Sequence, residues 1–490
     1  MEWKTLSEPD RRFWPLLFLG FFLILFVAEL LEKSMFIDGV WYAVISNNLA
    51  NGVGSFWQPQ FSSTIFSEFH EHPPLIFGIQ ALFFKLFGNH FLTERIFSAV
   101  LYILLALTIT SLWRKALPKT ASYRYLIFLP LILWQANIVN YFFLPANLLD
   151  TPLAILSALA IYSLWISTRS KNPLSYLILA GVILGLSILT KGVTGLFPLA
   201  FILLHWVLFR PYDWKNMVVR SLMVVASLTL FFAILFLFIP SSVDSLKKYL
   251  DVQLLASLSG ERRLYYYQTN RLYIIGQLFW ALLPMISFSL VIVLLEKALR
   301  LNPVVNKRLN KRTALLFILI GLSASLPIMI SPRQALPYLI PSLVYFSLAV
   351  GVWTAPKVEA LLKWLRSRQF PFIKIIELSA FSLCFLGSFL IIKNFDTSNN
   401  RDLEVIEDAK TIGNLTGPNQ IISSTTYDMY ISGYLMRFHN INLDTVNREY
   451  QYLITKKEEP LTSPKFNIVA VETNKYLIYK RNTVLGEKQQ

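Results

Sequence analysis

The run Phe13 to Leu31, "FWPLLFLGFFLILFVAELL", constrains this chain more than any other stretch. About 20 apolar residues at 1.5 Å each cross the hydrocarbon of a bilayer, and only a helix satisfies its own backbone there. The run is longer than the core of a cleaved leader and has no small-residue cleavage site, so it reads as a signal anchor. Ten more apolar runs follow, near 93–113, 122–140, 150–167, 173–190, 194–209, 218–239, 271–295, 312–330, 335–353 and 374–393. The chain is 55% hydrophobic and 15% charged, against about a quarter charged in soluble domains. These observations predict an α-helical polytopic membrane protein of about eleven spans. Segment 73–88 is apolar but short, and predicts a juxtamembrane or re-entrant helix packed on protein or lining a cavity.

The 45 basic residues exceed the 29 acidic ones, for a net charge of +16. In a soluble protein that excess suggests nucleic acid as a partner. Here the basic residues concentrate in alternate short loops, around 114–124, 169–171, 210–220, 297–312 and 357–374, with Lys4, Arg11 and Arg12 before the first span. That is the positive-inside pattern, and it places the N-terminus in the cytoplasm and the tail outside. No nucleic acid is expected. Cys384 stands alone in an apolar run, so there is no disulfide framework.

From about residue 395 the character changes. "RDLEVIEDAKTIGNL" and "DMYISGYLMRF" read as helices, while "QIISST", "EYQYLITKK" and "FNIVAVETNKYLIYKR" read as strands, the last with a Thr-Asn turn. The predicted organisation is a transmembrane part over 1–394, with a first outer loop at 32–92, and a small extracytoplasmic α/β domain over 395–490.

With this topology the unusual polar residues collect on the outer side. The first outer loop holds Asp38, Glu68, His70, Glu71 and His72. Asp150 opens the fourth span, Lys191 ends the fifth, Arg262, Arg263 and Tyr265 to Tyr267 lie in the loop 240–270, and Arg333 sits between the ninth and tenth spans. Ionisable groups at span ends tend to face a cavity or pathway. Each has a plainer reading. Lys191 and Arg333 can snorkel to the interface, Asp150 can cap its helix, and the tyrosines can belong to an interfacial belt. As a set, outer carboxylates and cations beside a membrane groove suit a reaction on a lipid phosphate. His70-Glu71-His72 alone makes a poor metal site. Adjacent residues before Pro73 point in alternating directions, whereas helical zinc ligands need a spacing such as His-x-x-x-His. One of the three joining a distant ligand stays open.

The stretches "FIDGVWYAVISNNLANG", "FHEHPPLIFGIQALFFKLFG", "LTERIFSAVLYILL", "LLDTPLAILSALAIY", "GLSILTKGVTGLFPLAFILL" and "SPRQALPYLIPSLVYFSLAVG" occur in that order. Together they resemble the GT-C fold membrane glycosyltransferases of the protein O-mannosyltransferase and lipid A aminoarabinose transferase superfamily, over roughly residues 30–355. The resemblance implies a polyprenyl-phosphate-linked sugar as donor and an acceptor lipid, glycan or protein outside the cytoplasm. It makes Asp38 the catalytic carboxylate, with Tyr42, Glu71, Lys191 and Arg333 on family positions. Three positions depart from the family pattern: Gly39 where Glu is frequent, His72 where Lys is frequent, and Ser331-Pro332-Arg333 in place of a Ser-Lys pair.

The expected chemistry is glycosyl transfer in the cell envelope. Lys191 and Arg333, supported by Arg262 or Arg263, would stabilise the leaving phosphate, and Asp38 would act as base toward the acceptor hydroxyl. Glu71 would orient the acceptor or join a divalent metal, the one candidate cofactor. Tyr42, His72, Asp150 and Tyr267 complete the expected substrate-binding set. Direct displacement would invert the anomeric centre. The rival reading is a transporter or flippase of a lipid-linked sugar. It needs the same cations but no base, and the absence of an inverted repeat speaks against it.

Overall fold

The computed structural model describes residues 8–255, 270–331, 333–368, 372–396 and 401–482. The chain divides into two compact units. A helical unit takes in Met1–Leu31, His70–Ile76 and Arg95–Lys393. A loop–tail unit takes in Glu32–Phe69, Phe77–Glu94 and Asn394–Gln490. The sequence division assigns 32–92 to the transmembrane part, whereas most of that loop clusters with the tail.

Among the described residues seven helices are long and apolar enough to cross a membrane. One of them, Pro173–Phe209, takes in two expected spans, and Trp14–Leu30 and Leu378–Lys393 are shorter apolar helices at two more. The expected span 122–140 is not one helix. A 3-10 turn at Ser122–Tyr125 is followed by helices Phe128–Gln135 and Ile138–Phe143, each far below spanning length. Asn137 causes the break. Its side chain accepts the Val139 N–H at 2.9 Å, capping the second helix, and its amide donates to the Ala281 carbonyl. The segment 73–88 forms the 13-residue helix Leu75–Phe87, about 20 Å long.

Helix packing brings several helix ends of the helical unit together. Gly181 and Gly185 let helix Pro173–Lys191 approach helix Trp214–Phe238 closely, and Ser227 Oγ donates to the Ile178 carbonyl at 2.9 Å. Small residues four apart are a common way for membrane helices to meet. Gly192 then ends the helix at φ +70°, a conformation nearly closed to other residues, and a Cβ there would run into the Tyr249 ring. The chain continues as the 3-10 turn Gly192–Leu199 and helix Ala200–Phe209.

In the loop–tail unit a short hairpin, β1 (Gly54–Ser55) and β2 (Gln58–Pro59), follows helix Ile37–Ala50. The tail forms a five-stranded sheet ordered β4-β3-β5-β7-β6, with β3 Ile421–Ser424, β4 Asn442–Asp444, β5 Tyr452–Lys456, β6 Phe466–Ile468 and β7 Tyr476–Arg481. β4 and β5 both run parallel to β3, and the remaining pairs are antiparallel. The expected tail helices appear as Leu403–Thr416 and Met429–His439. β4 has three residues and no alternating pattern to announce it. Buried Asp408 accepts backbone N–H groups of Asn474, Lys475 and Tyr476, at 2.5, 2.7 and 3.2 Å, and fixes the turn before β7.

Candidate active site

Four of the sequence-predicted residues gather at one end of the helical unit. Asp150 occupies the first turn of helix Asp150–Ser167, and Lys191 the last residue of helix Pro173–Lys191. Their side chains form an ion pair, with 5% and 10% of their surfaces exposed. Asp150 is therefore not the helix cap that an isolated Asp suggests, because Leu149 holds the cap position and the carboxylate is turned to Lys191. The Lys191 ammonium also lies 4.5 Å from the centroid of the Tyr338 ring, a cation–π contact that holds the charge in place.

Arg333 comes from the other side, in the loop between Ile330 and the 3-10 turn Leu336–Leu339. Buried Gln334 braces that loop. Its amide donates to the carbonyls of Arg271, at 2.9 Å, and Ser331, at 3.1 Å, and its oxygen accepts the Ile274 N–H at 2.7 Å. The Arg333 backbone N–H is taken by Ser331 Oγ at 3.1 Å. Its Nη1 is buried and has no hydrogen-bond partner among the described residues.

His72 completes the group. Enclosure by protein holds its imidazole well below the ordinary histidine range, and the positive charges of Lys191 and then Arg333 push the same way. The neutral ring can accept or donate one hydrogen bond without adding charge. Tyr249 lies nearby, against Gly192. Burial pushes its phenol up to about 12, although the Val193 N–H donated to its oxygen works against that shift. It remains a neutral donor. The sequence offered little to single out Tyr249, whereas the positive-φ glycine after a span-end lysine was a usable signal.

The other predicted residues fall elsewhere. Half-buried Glu71 precedes His72 in the helical unit. Asp38 lies in the first turn of helix Ile37–Ala50, in the loop–tail unit, and is part-exposed. Tyr42, on the same helix, is buried with its ring 5.5 Å from that of Phe77, a core contact. Arg262, Arg263 and Tyr267 lie outside the described residues. Among the described residues no group of three or more His, Cys, Asp or Glu side chains is arranged to hold a metal ion.

The group pairs one cation with a carboxylate and leaves the buried Arg333 Nη1 without a hydrogen-bond partner among the described residues. Residues 71–242, which include Glu71, His72, Asp150 and Lys191, match the family model described as dolichyl-phosphate-mannose-protein mannosyltransferase. The chain has the GT-C fold of membrane glycosyltransferases. The fold is similar along its length to the crystal structure of ArnT from Cupriavidus metallidurans bound to undecaprenyl phosphate. The TM-score is 0.63 at 13% identity, over 97% of this chain and 99% of that one. It is also similar to the archaeal oligosaccharyltransferase AglB from Archaeoglobus fulgidus in complex with an inhibitory peptide and a dolichol-phosphate. There the TM-score is 0.51 at 11% identity, over 92% of this chain and 70% of AglB. No curated protein matches it by sequence.

Proposed function

We propose that this chain is a glycosyltransferase that moves a sugar from a polyprenyl-phosphate donor to an acceptor on the outer side of the membrane. The observation that carries the reading is the buried Arg333 Nη1, without a hydrogen-bond partner among the described residues, beside the fixed Lys191 ammonium and neutral His72. A buried guanidinium nitrogen left unbonded is costly, and a phosphate oxygen supplies what is missing. The undecaprenyl phosphate in the ArnT structure supports a lipid phosphate as that group.

In this reading Arg333 and Lys191 take up the charge that develops on the phosphate as the glycosidic C–O bond breaks. Asp150 holds Lys191 in register. Tyr249 and His72 offer neutral hydrogen bonds to the remaining phosphate oxygens. Asp38 accepts the proton of the acceptor hydroxyl as its oxygen attacks the anomeric carbon, and Glu71 orients that acceptor. A single displacement inverts the anomeric centre. No step is routed through a metal.

The test is Asp38→Asn in membranes supplied with a labelled polyprenyl-phosphate sugar. Loss of a general base lowers transfer by about 10²–10⁴. Transfer at near wild-type rate removes Asp38 from that role. Movement of the labelled lipid across the membrane without any transfer replaces the enzyme with a flippase.

A further inference from the structure

The tail domain carries a second polar feature that the transfer chemistry does not use. β4 and β5 lie on opposite sides of β3 and run parallel to it, so the strand order reverses at the boundary between β3 and β5. In open α/β sheets such a reversal leaves a crevice beyond the carboxyl ends of the strands, and ligands bind there. Here those ends are the segment Thr425 to Asp428 after β3 and Lys456 at the end of β5.

The residues at this edge are held in place rather than loose. Asp428 caps helix Met429–His439, accepting the Tyr430 N–H at 2.9 Å through one oxygen. Its other oxygen accepts the Tyr476 hydroxyl at 2.7 Å and lies 3.7 Å from Lys456 Nζ. Tyr427 and Tyr430 flank this anchored carboxylate and expose 49% and 39% of their surfaces. Thr425 Oγ1 is buried beside them, with no hydrogen-bond partner among the described residues.

The same edge adjoins the helix that carries the proposed base. Trp41 Nε1 donates to the Met429 carbonyl at 3.1 Å, and Gly433 packs so closely that a Cβ there would lie 3.0 Å from Trp41 Nε1 and Ile37 Cδ1. Tyr434 Oη accepts the Met35 N–H at 3.4 Å and donates to Asp402 at 2.8 Å. Asp38 is one helical turn before Trp41 and lies on the same side of the helix. Within the loop–tail unit, the crevice and the Asp38 turn are thus joined by one short packed link.

We infer that Tyr427, Tyr430 and Lys456, at the carboxyl ends of β3 and β5, form an acceptor subsite for a saccharide. The inference rests on the transferase reading and adds the chemical class of the acceptor. A pyranose has an apolar C–H face and polar hydroxyl edges. Exposed tyrosines offer flat rings of low conformational cost for the face and hydroxyls for the edge, while the ammonium donates to ring or hydroxyl oxygens. Basic and acidic residues balance across 401–482, so the surface suits a sugar better than a polyanion.

The experiment uses the full chain in membranes, a labelled polyprenyl-phosphate sugar as donor, and total cell-envelope extract as acceptor. Two rates are read: transfer as a function of extract, and slow release of free sugar to water. Y427A/Y430A is expected to raise half-saturation by extract at least tenfold, with maximal transfer and release to water unchanged. Y427F/Y430F is expected to stay within about twofold of wild type, because the rings remain. An unchanged half-saturation in the alanine pair overturns the subsite. So does a labelled product that protease destroys, which makes the acceptor a protein. If the wild-type chain neither transfers nor releases sugar from the donor, the transferase reading falls and the subsite falls with it. Intact release together with a selective acceptor defect in the alanine pair sustains both.

Discussion

Two arginines, one in each unit, show how differently the chain uses the same side chain. Arg437, on helix Met429–His439, is satisfied on every side. Its Nε and Nη2 reach Glu94 at 3.2 and 2.7 Å, Nη2 also reaches the His90 carbonyl at 2.9 Å, and Nη1 donates to Asn89. Phe84 and Phe438 rings lie 5.3 and 5.9 Å from the guanidinium. Arg333 has its loop fixed by Gln334 and its own Nη1 left without a partner among the described residues. Arg437 holds residues 89–94 to the tail within the loop–tail unit. Arg333 sits in a loop braced by others, with its Nη1 left without a partner among the described residues, as the proposed phosphate contact requires.

The comparison makes opposite predictions for the two. Arg437→Ala leaves Glu94 charged and buried, and should destabilise the loop–tail unit by about 3–5 kcal/mol. The measurement is thermal unfolding or protease resistance of the tail, and adding Glu94→Gln should restore part of the loss. A melting curve unchanged by Arg437→Ala would erase the distinction. Arg333→Ala should do the reverse, lowering transfer by about 10²–10³ while melting is nearly unchanged. Arg333→Lys should fall between wild type and alanine, since it keeps the charge and loses the planar fork.

Smaller effects sharpen the account of the helical unit. Asp150→Asn frees the Lys191 ammonium from its fixed position over Tyr338, and should raise the donor KM about tenfold with kcat largely kept. Steady-state kinetics at varied donor concentration separates the two. The smallest effect concerns His72. Its folded imidazole binds a proton only well below the ordinary value of 6.5, so the unfolded chain protonates first. Stability contributed by this group is therefore present above pH 6.5 and lost as pH falls below it, at no more than about 1.4 kcal/mol per pH unit. His72→Gln should flatten the melting temperature between pH 7 and 5, and an unchanged slope assigns that dependence to other groups.

The helical unit was the more legible part of the molecule. A 20-residue apolar run has one physical solution in a bilayer, and composition alone announces it. Where the run contained hydrogen-bonding side chains the reading failed. Asn137 in 122–140 competes for the backbone and divides the expected span. The site was legible in part, because Lys191, Asp150 and Arg333 stand out as charges at the ends of apolar runs. Tyr249, Tyr338 and Gln334 did not stand out, since tyrosine and glutamine are unremarkable at such positions until packing turns them toward a charge.

Arg437 and Glu94 were not singled out by the sequence reading either. Each sits on a helix with ordinary polar neighbours, and their pairing joins residues 343 positions apart. The sequence by itself determined that this chain has helices long and apolar enough to cross a membrane, and which few charges stand at the ends of its apolar runs. Only the tertiary structure decided which of those charges are spent on each other. That outcome depends on long-range packing at distances of a few ångströms, which local pattern and composition do not encode.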